Sequence, residues 1–84
     1  MKSIYDYAYK ITPCPLCLQG LVTIVKEIKT NHIFLYCDEC LMEWNSPQDV
    51  LQGRFGFRFK YGRVTEPTLE EIKAKGWDIY LISE

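Results

Sequence analysis

Four cysteines stand in two pairs, Cys14-Pro15-Leu16-Cys17 and Cys37-Asp38-Glu39-Cys40, in a chain of 84 residues. Two residues between cysteines let one tight turn aim both sulfurs at a single point. Nineteen residues between the pairs are enough for a hairpin that carries the second turn back beside the first. The resulting pattern, C-x2-C-x19-C-x2-C, lies within the spacings that read as a metal site. Zinc prefers tetrahedral coordination and accepts thiolates readily, so the expectation is one structural Zn2+ held by Cys14, Cys17, Cys37 and Cys40. Four protein ligands leave no position for a metal-bound water, which argues against catalysis at the ion.

Other uses of four cysteines stay open at this point. Iron in a rubredoxin-like electron carrier takes the same ligands. Two disulfides need an oxidising compartment. The residues after Met1 include no apolar run of the kind a signal peptide needs, and no stretch is long enough to span a membrane, so a cytoplasmic location is expected. A thioredoxin-like redox pair needs a βαβ context and leaves the second pair unexplained.

A chain this short is expected to form a single domain over residues 1–84. Small domains often require a staple, and a structural ion supplies one. The expected fold class is α+β: a ribbon core over about 13–45, extended by a further strand and two short helices over about 46–84. In the N-terminal arm, Tyr5, Tyr7, Tyr9 and Ile11 alternate with polar or small residues, the period of a strand with an aromatic face. Leu21–Lys29 is rich in β-branched residues and predicts a strand. Thr30-Asn31 suits a turn, His32–Tyr36 the returning strand, and Leu41–Trp44 a short third one. Ser46-Pro47-Gln48-Asp49 predicts a helix start, with Gly53 as its end. Arg54–Tyr61 alternates aromatic with basic or small residues and predicts a strand. Thr68-Leu69-Glu70-Glu71 is a second capping box, opening a helix to about Lys75 with Gly76 as its stop. Trp77–Ile82 is expected as a last strand or extended tail, with Trp77, Ile79 and Leu81 over the core.

Residues 14–44 resemble the zinc ribbon family, in which a metal turn, a two-stranded hairpin, a second metal turn and a third strand follow one another. Ribbon turns often place Gly directly after the second cysteine; Leu18 and Leu41 stand there in this chain. Trp44, Ser46 and Pro47 beside the cysteines also resemble small stand-alone bacterial ribbon proteins. Some of those act as immunity or adaptor proteins, so that resemblance implies an inhibitor or adaptor role.

The chain has 10 basic and 11 acidic residues. Four thiolates and one divalent ion make the loaded protein more acidic still, which favours a protein partner over nucleic acid. His32, the one histidine, lies roughly 16 Å from Cys37 along an extended strand and is read as a solvated turn residue. Asp38 and Glu39 are likewise read as solvated. No nucleophile and base stand out as a pair, so no enzyme is expected. The main rival is nucleic-acid binding by the Arg54–Arg63 segment, whose aromatics could stack bases while Arg54, Arg58 and Lys60 bind phosphates. In a strand, however, that alternation puts rings and cations on opposite faces. The Tyr5–Tyr9 arm is read either as a contact surface or as core packing.

Overall fold

The computed structural model describes residues 9–58 and 60–81. Its centre is an antiparallel hairpin of β2 (Leu21–Glu27) and β3 (Ile33–Cys37), in register at Val25↔Phe34 and Thr23↔Tyr36. Val, Ile and Phe side chains suit both strands because they pack well on a pleated surface. Asn31 turns the chain between them at φ 61°, and its N–H donates to Glu27 O. A short polar side chain tolerates that left-handed conformation. The strand β1 (Lys10–Pro13) pairs with one end of the other edge of β2, and β5 (Val64–Thr65) with the opposite end. Beyond β3 lies β4 (Glu43–Trp44), so the order is β1-β2-β3-β4 with β5 on β2.

The two helices begin and end as their sequences dictate. The helix α1 (Pro47–Leu51) is capped by Ser46, whose hydroxyl accepts the Asp49 N–H. The helix α2 (Leu69–Ala74) carries a full capping box. Thr68 Oγ1 accepts the Glu71 N–H, and the Glu71 carboxylate accepts the Thr68 N–H. Each helix is closed by a glycine in the left-handed region, Gly53 at φ 68° and Gly76 at φ 74°. In both, two N–H groups fold back onto the last turn, as in a Schellman motif.

Each face of the sheet has a different cover. On one face Val22, Ile24, Ile33, Leu35 and Trp44 are buried with Val50 of α1 and Ile72 of α2. A salt bridge from Lys26 to Glu71, 3.1 Å, ties α2 to β2. On the opposite face Val25 and Phe34 are equally buried. Tyr61 lies over Phe34 there, with ring centroids 4.2 Å apart.

Two expectations fail. Arg54–Tyr61 is not a strand: among its described residues only Phe57 makes a ladder contact, an isolated bridge to Glu43. Residues 77–81, the described part of the expected Trp77–Ile82 stretch, are not a strand either. Gly76 turns the chain, and Asp78–Tyr80 forms a 3₁₀ turn. Trp77, Tyr80 and Leu81 pack against the core, whereas Ile79 is exposed. Leu21–Glu27 ends two residues before the expected limit, and only Glu43 and Trp44 of the expected third strand are paired. Tyr5 and Tyr7 lie outside the described residues.

Candidate metal centre

The hairpin brings the two cysteine turns together. Cys14 and Cys17 lie on the turn between β1 and β2, while Cys37 ends β3 and Cys40 lies on the turn from it to β4. The register places Val22 opposite Cys37, which sets the second turn beside the first. All four sulfurs lie within 4.8 Å of one another. Cys14 Sγ is 3.8 Å from Cys40 Sγ, and Cys17 Sγ is 3.6 Å from Cys37 Sγ. A tetrahedron with metal–sulfur bonds of about 2.3 Å has edges of about 3.8 Å. The four cysteines are free, at separations far beyond a disulfide bond of about 2.05 Å.

Backbone donors surround this cluster. Cys17 N–H points at Cys14 Sγ, 3.5 Å; Glu39 and Cys40 N–H groups both point at Cys37 Sγ, 3.4 Å. Pro15 follows the first cysteine directly, a position whose counterpart in the second turn, Asp38, does not use its N–H on sulfur. That N–H instead donates to Leu21 O. The inner sulfurs of Cys14 and Cys37 are buried, and burial pushes both thiols up from their ordinary value of 9.0. The Cys17 thiol is lowered to about 6, chiefly by the N–H groups of Gln19 and Gly20. Two buried sulfurs that resist ionisation alone, ringed by N–H donors, form a set that a cation would complete. The residues therefore fit a single metal ion.

Three further residues shape the centre. Gly20 lies where the turns meet: a Cβ there would come within 2.5 Å of Asp38 Oδ1 and 2.8 Å of Cys37 Sγ. Asp38 is not solvated as its sequence suggested. It is buried, and its Oδ1 accepts the Leu21 N–H at 2.9 Å, fastening the second turn to the start of β2. Glu39 is exposed. Leu18 and Leu41 both adopt the left-handed conformation that glycine would take, at φ 61° and 63°. Their N–H groups close the turns onto Cys14 O and Cys37 O.

His32 is half-buried and takes no part in the cluster. Its ring lies 5.0 Å from that of Tyr61 and 6.1 Å from that of Phe34. Arg54, Arg58 and Lys60 are exposed and take no part in the sulfur cluster. Their segment runs from the end of α1 past β4 to Tyr61, which lies over the far face of the sheet. That segment is held at six of its residues. Trp44 Nε1 donates to Arg54 O, and Glu43 and Phe57 exchange both backbone hydrogen bonds. The buried Glu43 carboxylate accepts the Lys60 and Tyr61 N–H groups, 3.0 and 3.4 Å. Glu27 accepts the Gly62 N–H at 2.6 Å, and Ile28 N–H donates to Arg63 O. Sequence reasoning missed Gly20, Asp38, Glu27 and Glu43. For Glu43 one signal was available, a carboxylate inside the apolar run Leu41-Met42-Glu43-Trp44.

Compared with known proteins, the chain matches no family model, no curated protein and no solved structure.

Proposed function

We propose that this chain is a non-catalytic zinc ribbon, in which Cys14, Cys17, Cys37 and Cys40 hold one structural Zn2+ and the rest of the surface engages a macromolecular partner in the cytoplasm. The observation that carries the reading is the four-sulfur cluster, whose spacing matches a thiolate tetrahedron closed by protein. Zinc in such a centre adds folding free energy and offers no open coordination position. The chain's own residues supply the rest. Gly20 lets the turns approach, Asp38 joins them, and backbone N–H groups stabilise the sulfur charge.

Metal analysis of the purified protein tests this. One zinc per chain, with a lowered melting temperature in a strong chelator, is the expected result. A red preparation absorbing in the visible would favour the iron carrier, and no bound metal would overturn both. The narrower reading, an immunity or adaptor protein, requires a defined protein to co-purify in fixed ratio.

A further inference from the structure

We infer that the segment Arg54–Arg63 is a binding surface for single-stranded nucleic acid, with Phe55 and Phe57 stacking on bases and Arg54, Arg58, Lys60 and Arg63 meeting phosphates. The inference rests on the proposed binding role and names its partner.

Charge is strongly segregated in this chain. Residues 53–65 contain four cations and no acid, whereas the other 71 residues contain six cations and eleven acids. None of the four cations forms an ion pair among the described residues. Arg54 Nε donates to Gln52, and Lys60 Nζ lies 4.1 Å above the Phe57 ring. The objection that a strand would separate rings from charges falls, because the segment is not a strand. Phe55 is 83% exposed and Phe57 46%, and Arg54, Arg58, Lys60 and Arg63 are exposed beside them in the chain. The backbone is anchored beneath them by Trp44, Glu43 and Glu27, so the side chains are presented with little ordering still to be lost.

Gly56 is part of the device. A Cβ there would overlap the Glu43 carbonyl oxygen, so only glycine lets the segment lie against β4 with Phe55 and Phe57 on either side. Aromatic faces with adjacent cations suit a strand whose bases are unstacked. A duplex shields its base faces from such rings. An anionic lipid surface or an acidic protein would use the cations and leave the ring faces without their stacking partner.

The test uses zinc-loaded full-length protein and a short labelled oligothymidylate followed by fluorescence anisotropy. Binding at about 50 mM salt is expected, with a slope of log K against log salt no steeper than about −3 for four phosphates. Phe55→Ala should weaken binding five-fold or more with the slope unchanged, in line with loss of one stacked base. Arg54→Ala with Arg58→Ala should flatten the slope by about 1.4. Both variants alter exposed side chains, and a melting curve confirms that each is folded. No binding by folded, zinc-loaded protein overturns the inference and leaves the metal reading intact. So does a Phe55→Ala variant that binds as well as the parent, a preference for duplex, or binding to phosphatidylserine vesicles in place of the oligonucleotide.

Discussion

Two irregular stretches of this molecule are held by opposite means. The cysteine turns are short, and each is shaped by bonds within a few residues: Leu18 N–H to Cys14 O, Leu41 N–H to Cys37 O, and N–H groups aimed at sulfur. The segment from Arg54 to Arg63 has few such local bonds. Its backbone is received by Trp44, Glu43, Glu27 and Ile28, between 10 and 35 residues away in the chain. The first kind of order depends on ligands converging on one point. The second depends on a sheet already being in place to offer carboxylates to backbone donors.

The largest expected effect is on the first kind. Cys37→Ser removes a buried ligand, and structural zinc sites in finger peptides have apparent binding free energies of about 10–16 kcal/mol. Loss of bound metal and of cooperative melting is expected, the covering segment included, because β3 carries both Cys37 and Phe34. A Cys37→Ser protein that kept its Tyr61–Phe34 ring contact in an NMR spectrum would break the comparison, since the segment would then be independent of the centre.

Gly20→Ala comes next. Overpacking of this kind costs about 1–3 kcal/mol. Because the crowded atoms include Cys37 Sγ and Asp38 Oδ1, weaker metal retention against a chelator should accompany the loss of stability.

Glu43→Ala strands the N–H groups of Lys60 and Tyr61 and should cost about 1–3 kcal/mol. Faster amide exchange across residues 57–62 with full metal content would sharpen the contrast. Loss of metal in this variant would erase it.

Acid provides a gentler probe. The Glu27 carboxyl is held below its ordinary 4.5, first by the Gly62 N–H and then by the Thr30 hydroxyl. A depressed value in the folded state means that its contribution is complete above about pH 4.5 and fades as pH falls through the folded value. Exchange of the Gly62 amide, corrected for intrinsic rate, should therefore rise in acid. Glu27→Ala should flatten that response and leave the Cys40 amide as it was.

The smallest effect is expected at the turn leucines. A left-handed residue costs about 1–2 kcal/mol unless it is glycine, while glycine adds about 0.5–1 kcal/mol of chain entropy. Leu18→Gly and Leu41→Gly should thus shift stability by no more than about 1.5 kcal/mol each, readable as a small change in melting temperature at constant metal content.

What could be read from the sequence was local in origin. The cysteine spacing announced a metal site. Ser46 and Thr68 announced helix starts, because an N-cap acts within three residues. Gly53, Gly76 and Asn31 marked positions that need positive φ, and all three adopt it. The failures have a common cause. Alternation in Arg54–Tyr61 satisfies the period of a strand but supplies no partner strand, and Glu43 took donors that a ladder would have used. In the same way Trp77 lost its strand to the closure of α2, where its N–H donates to Ile72 O.

The sequence by itself determined the two cysteine pairs, the hairpin between them and both helix caps, since each follows from spacing or from contacts between near neighbours. Only the tertiary structure decided that Asp38 is buried, that Gly20 lets the two turns approach by its missing side chain, and that two distant glutamates anchor the aromatic and basic segment with Phe55 and Phe57 exposed. A backbone donor accepts any suitably placed carboxylate, and which one arrives depends on how the strands pack.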